Sequence, residues 1–310
     1  MEVISWNAAN ERVRPECLAA HDRRAAADLG DGMDPELYGH IEQAMWNHPL
    51  ARRGLSVWAL VDDGKILASF ETWPLQVRYR ENGSIKTLEG RVLGSGFVIP
   101  EARLAGHGRY LSGTVCRQHF QQEGLAFIYG ISETSPKVYS ETNAHVRPLF
   151  MRRWPAHPAA DGELAIELIS TLEDWVVPPL QGYFDIALTK DLLSWRLDRV
   201  ALLFPEDSQR PIGARIDDDR IIWVRSGDGA ELEILHFRGG KDTAQELLRA
   251  AQNEAHARGL ARIVAWENQM NLSWLPTGES VVSDDVLMVS PGALQVTIDG
   301  WVDTELGHNL

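Results

Sequence analysis

The chain has 310 residues, 44% apolar and 24% charged, an ordinary globular composition with room for two domains. A net charge of -14 argues against nucleic acid, which attracts clustered Lys and Arg, and fits small cationic substrates better. The two cysteines, Cys17 and Cys116, supply neither a disulfide framework nor zinc spacing. With no signal-peptide pattern and no apolar run of membrane-helix length, a soluble cytoplasmic protein without a membrane partner is expected.

In chain order, the first fifty residues read as helical: Ala25, Ala26, Ala27 and Leu29 run up to Gly30, and Asp34-Pro35 reads as a cap and first helical position. The period then changes to two. Residues 55–61, the turn "DDGK" and residues 66–73 predict a strand, a hairpin and a strand, extended by "QVRYR" to the turn "ENGS". Residues 91–99 predict a further strand, stopped by Pro100, in which Gly94 and Gly96 suggest a bulge or a close backbone approach. A helix over 107–122, a buried strand over 125–131 and a short helix over 136–143 follow. Residues 154–179 are less regular.

The second block contains strands "RIIWVRS" and "ELEILHF" around the turn "GDG", a helix over 242–258 and a strand over 262–266. Ala244, Leu247, Leu248, Ala251 and Ala255 mark one helical face, Thr243 with Glu246 predicts a capping box, and Gly259 closes the helix. "IDDDR" reads as a charged turn. Strand, strand, helix, strand is also the order over 91–131. The block is therefore either a degenerate repeat of the first or an unrelated α/β domain.

The stretch "VIPEARLAGHGRYLSG" carries the chemistry. A strand running into Arg103-x-x-Gly106-x-Gly108 and then a helix leaves the helix's first N–H groups pointing into the loop. Glycines there let an anion approach the backbone, so the arrangement suits a phosphate. It lacks the Gly-Lys-Ser/Thr ending of a P-loop and the three-glycine spacing of the dinucleotide fingerprint.

With its flanking strands, this loop resembles the coenzyme A motif of the GNAT (GCN5-related) N-acetyltransferases, Arg/Gln-x-x-Gly-x-Gly/Ala. Together with "WALVDDGKILASFETW" and "IYGISETSPKVY" it is similar, more narrowly, to the fungal lysine N-acetyltransferases of the Lyc1 type. The likeness is strong over residues 55–145 and looser beyond, around "YFDIALTKDLLSWRL" and "LEILHF". It implies a GNAT fold, α/β (α+β) with a central mixed, mostly antiparallel sheet flanked by helices. It further implies an acetyl-CoA-binding catalytic domain over 1–165 and a C-terminal α/β domain over 166–310 that covers or shapes the acceptor site.

The resemblance implies acetyl-CoA as cosubstrate, no metal, and direct transfer to a primary amine of a small molecule, lysine or a related compound. Amides of Arg103, Leu104, Ala105, Gly106, His107, Gly108 and Arg109 would hold the pyrophosphate, and the backbone of Phe97, Val98 and Ile99 the pantetheine. Tyr139 would protonate the leaving thiolate, its hydroxyl pKa near 10 suiting that task. Glu71 or Glu133 would take the proton of the amine, and Glu71 with Trp73 would line the acceptor pocket. Two alternatives stand beside this: another amine or acyl-CoA on the same fold, and a coenzyme A-binding module without turnover. Nothing in the sequence fixes the oligomeric state.

Overall fold

The computed structural model describes residues 1–6, 22, 25–26, 33–119, 127–132, 140–142, 144–158, 165–177, 184–226, 229–266 and 272–291. Two compact units divide the chain. The first takes Met1–Pro148, Pro179–Ala187 and Asp284–Thr304; the second takes Leu149–Pro178, Leu188–Ser283 and Glu305–Leu310.

In the first unit β1 (Glu2–Trp6), β2 (Ser56–Asp62), β3 (Lys65–Glu81), β4 (Ser84–Val98), β5 (Phe127–Ser132) and the Val286–Pro291 part of β13 (Glu279–Pro291) stand side by side in that order. Every neighbouring pair is antiparallel except β4 with β5. The turns before β3 and β4 are the expected hairpins: Asp63 and Gly64 take φ of 45° and 75°, Asn82 and Gly83 take 49° and 78°. Two left-handed residues match the right-handed twist of the flanking strands.

β4 starts at Ser84 instead of 91, because the hairpin zips up directly from its turn. Pro74 is tolerated inside β3 because β2 pairs only to Thr72 and β8 (Phe184–Ile186) only from Val77, leaving that edge open between them. The start of the chain departs from the helical reading. Glu2–Trp6 is an edge strand, where β-branched Val3 and Ile4 lie in register against Leu60 and Ala59. Five residues are too few to display an alternation.

α1 (Pro35–Trp46) begins as expected: the Asp34 carboxylate accepts the Glu36 and Leu37 N–H groups, each at 3.0 Å. One turn of helix, α2 (Pro49–Arg52), follows. Tyr38 of α1 packs with Ala25, Ala26, Phe97, Ile99 and Ala102 on one side of the sheet. On the other side α3 (His107–Gln118) lays Leu111, Val115 and Cys116 on Trp58, Leu60, Ala68, Phe70 and Leu93. Leu111 and Val115 are fully buried, each contributing about 1.5–3 kcal/mol.

The second unit orders the Leu149–Pro155 part of β6 (His145–Pro155), then β12 (Arg262–Trp266), β11 (Glu231–Arg238), β10 (Asp219–Arg225), β9 (Gly213–Ile216) and β7 (Glu167–Ile169). β7 therefore gives regular structure to part of the stretch 154–179 that reads as irregular, and β6 lies almost wholly before that stretch. Again all pairs are antiparallel but one, β11 with β12. The order β9, β10, β11, helix, β12 thus has the pairing senses of β2, β3, β4, α3, β5, which is the topology of a repeat.

Of the two α-helices among the unit's described residues, α4 (Lys190–Leu203) is capped by Thr189, whose Oγ1 accepts the Leu192 N–H at 3.2 Å. α5 (Ala244–Ala257) buries the expected face, and Gly259 closes it at φ 71°. The expected capping box is not formed. Thr243 Oγ1 instead donates to Asp219 Oδ2 at 2.5 Å, and Glu246 accepts from Arg249 at 2.7 Å. A carboxylate brought in from β10 out-competes the local partner.

Candidate functional site

At the centre of the first unit β4 carries an extra residue. Ser69 pairs with Phe97 but Glu71 with Gly94, so Ser95 is left over as a bulge with φ 48°. Its glycine neighbours answer to crowding. A Cβ on Gly94 would lie 2.8 Å from the Trp73 ring, and one on Gly96 would collide with the Phe70 ring. Both sequence readings of this stretch, bulge and close approach, hold together.

Alternation along β3 places Phe70 and Thr72 under α3 and sends Glu71 and Trp73 to the opposite face. Glu71 is partly buried there, opposite Gly94 in register. Beneath α3, Trp58 Nε1 donates to Thr72 Oγ1 at 3.0 Å, and His119 Nε2 lies 3.3 Å from the same oxygen. This buried group ties the helix to the hairpin, and sequence reading gave no sign of it. Cys116 is packed in the same core as a small apolar residue.

The ladder between β4 and β5 covers Gly90–Val92 only. From Leu93 to Val98, among the described residues, β4 has strand pairing on its β3 side alone. That one-sided stretch leads directly into the loop. Ile99 N–H donates to Leu67 O at 3.0 Å, and Pro100–Ala102 forms a single 3-10 turn. Arg103 turns back, its Nε donating to Val98 O at 3.1 Å. Leu104 is fully exposed at φ 68°, and Gly106 takes φ 81° as the residue before α3.

Among the described residues no side chain caps α3, and its first helical bond is Tyr110 N–H to Gly106 O at 3.0 Å. The first-turn amides at His107, Gly108 and Arg109 therefore face the loop with the positive end of the helix dipole behind them. His107 Nδ1 is also buried there without a hydrogen-bond partner among the described residues. The corresponding loop of the second unit is filled by the chain itself, for Asp219 Oδ2 accepts the Gly240 N–H at 3.1 Å as well as the Thr243 hydroxyl.

Arg109 reaches past the Gly106 backbone to Glu141, at 3.3 Å from Nε to Oε1, and Arg117 lies 4.0 Å from the other carboxylate oxygen. Glu141 can come this close because Gly113 has no side chain; a Cβ there would sit 2.9 Å from Glu141 Cβ. Glu141 was not singled out in the sequence. The available signal was Gly113 itself, since a mid-helix glycine costs about 1 kcal/mol and asks for a packing reason.

The structure thus brings Phe97, Val98, Ile99 and the 103–109 loop into one continuous stretch, with Glu71 and Trp73 beside its bulge. Tyr139 and Glu133 lie outside the described residues. Among the described residues, no helix is long and apolar enough to cross a membrane.

No protein-family model matches the sequence, and no curated protein matches it. Solved structures do. A conserved protein of Enterococcus faecalis V583, designated a probable N-acyltransferase, aligns with 95% of this chain and 73% of its own at TM-score 0.59 and 12% identity. A GCN5-related N-acetyltransferase from Kribbella flavida aligns with 93% and 70% at TM-score 0.56 and 12% identity. The N-myristoyltransferase of Saccharomyces cerevisiae, with bound myristoyl-CoA, aligns with 84% and 70% at TM-score 0.50 and 10% identity. At such identities the likeness speaks for the fold. The chain has the mixed α/β fold of GNAT N-acetyltransferases.

Proposed function

We propose that the protein is an N-acetyltransferase that moves the acetyl group of acetyl-CoA directly to a primary amine of a small molecule, lysine or a related amino compound. The observation that carries this reading is the start of α3, which no side chain caps among the described residues, at the end of a strand stretch, Leu93 to Val98, whose strand pairing among those residues is on the β3 side. An extended pantetheine arm can add to that edge through backbone hydrogen bonds, as a peptide adds to a sheet. The amides of 103–109 and the Arg109 guanidinium then meet the pyrophosphate.

In the reaction the amine nitrogen attacks the thioester carbonyl carbon, a C–N bond forms and the C–S bond breaks. The bulge at Ser95 offers backbone N–H groups to the oxygen on which negative charge develops. Glu71 binds the cationic amine and takes its proton, with Glu133 as the other carboxylate in that role. Tyr139 gives a proton to the departing thiolate. Trp73 forms a wall of the acceptor pocket. The net charge of -14 favours a cationic acceptor, and the two-cysteine composition favours the cytoplasm.

A second reading keeps the fold and lengthens the acyl chain or changes the amine, to that of an antibiotic or toxin. The myristoyl-CoA bound by the yeast structure favours keeping the chain length open. Incubation with acetyl-, longer acyl-CoA and a panel of amines, with thiol release and product mass as readouts, tests both. Acetyl-CoA and an amino-acid amine are expected to give the fastest thiol release. Tight coenzyme A binding with no thiol release for any amine would leave a binding module, and no binding at all would refute the donor site.

A further inference from the structure

The second unit holds a group of cations that the acyl-transfer reading does not use. Arg220 on β10 and Arg238 on β11 are direct partners across the ladder. Like charges placed opposite each other on neighbouring strands are destabilising. Six other arginines of this unit, Arg196, Arg215, Arg225, Arg249, Arg258 and Arg262, each have a carboxylate oxygen within 3.0 Å. Among the described residues Arg220 and Arg238 have none.

His236 stands two residues from Arg238 on the same face, opposite Ile222. It is 9% exposed, and its Nε2 is buried with no hydrogen-bond partner among the described residues. Trp175 organises the group. Its ring meets the imidazole edge-on at 5.3 Å and carries the Arg220 guanidinium over its face at 5.5 Å. Its own Nε1 is fixed by donating to Leu188 O at 2.9 Å. The two acids of β11 on that face are committed elsewhere: Arg196 donates to Glu233 at 2.6 Å and Trp266 Nε1 at 3.0 Å, and Glu231 pairs with Arg262 at 3.0 Å.

We infer that Arg220, Arg238 and His236, held by Trp175, form a site for a small oxyanion, a carboxylate or a phosphoryl group. Two arginines directly partnered across a ladder suit such a ligand, since an anion bound by both offsets their repulsion. Burial, then Arg220 and Arg238, lower the His236 pKa to about 3, so the ring is neutral and donates one N–H while the arginines supply the charge. The site lies in the second unit alone and stands or falls independently of the donor site at α3.

The test uses the full chain with labelled histidine, the His236 resonances being identified by their absence in His236→Gln. Inorganic phosphate and succinate are titrated separately at constant ionic strength set by chloride. A saturable shift of the His236 signals with one of them is expected, and the probe that works tells phosphoryl from carboxylate. Arg220→Gln or Arg238→Gln should weaken that probe at least about tenfold, the loss of one charge-assisted bond. In chloride buffer without either probe, each variant should melt no lower than the wild type, since a repulsion has been removed. Absence of a saturable shift with both probes, or equal affinity in a folded arginine variant, overturns the site.

Discussion

At the level of single residues, the positions that matter most are those where the backbone leaves its ordinary region. Ser95 at φ 48°, Leu104 at 68° and Gly106 at 81° are spaced along one stretch between β4 and α3. A β-branched side chain at Gly106 would pay the left-handed penalty of about 1–2 kcal/mol and fill the space an anion needs. Gly106→Val is therefore expected to weaken acetyl-CoA at least tenfold by calorimetry, roughly the size of that penalty. Glu71→Gln should do the opposite: retain acetyl-CoA affinity and lower kcat by about 10²–10⁴, the range for a lost general base. Equal kcat in that variant would move the role to Glu133. The family resemblance names Glu71 from the sequence, but its place opposite Gly94, beside the bulge, needed the register of β4.

Among the elements, the short-range signals were the legible ones. The Asp63-Gly64 and Asn82-Gly83 turns, the Asp34 cap and the buried face of α5 follow from a few adjacent residues. Removing the cap, Asp34→Ala, should cost about 1 kcal/mol of stability in a denaturant titration. The capping box at Thr243 failed because Asp219, distant in sequence, supplied a stronger acceptor. The strand at Glu2–Trp6 and the strands β6 and β7 escaped because each is defined by its neighbour in the sheet more than by its own pattern.

For the whole molecule, the division into units does not follow the chain. The first unit includes residues 284–304, so a fragment ending at residue 165 lacks the β13 strand that pairs with β5. Such a fragment exposes an unpaired edge and is expected to aggregate in size-exclusion chromatography, whereas a fragment retaining monomeric dispersion would show β13 to be dispensable. Stability should also depend on acid through His236. Its folded pKa of about 3 lies below the ordinary 6.5, so between these values the unfolded chain binds the extra proton. As pH falls through that window this group removes about 1.4 kcal/mol per pH unit. His236→Gln should flatten the acid limb of the melting temperature against pH.

The sequence by itself determined what neighbouring residues can settle among themselves: hairpin turns, helix ends, amphipathic faces and a glycine loop fit for an anion. Tertiary structure decided which strand edges stay unpaired, where β4 bulges, that the second unit repeats the pairing of the first, and which carboxylate closes which loop. Backbone preferences and caps act over a few residues. Edges, burial and the meeting of Arg220 with Arg238 arise only when distant segments are brought side by side.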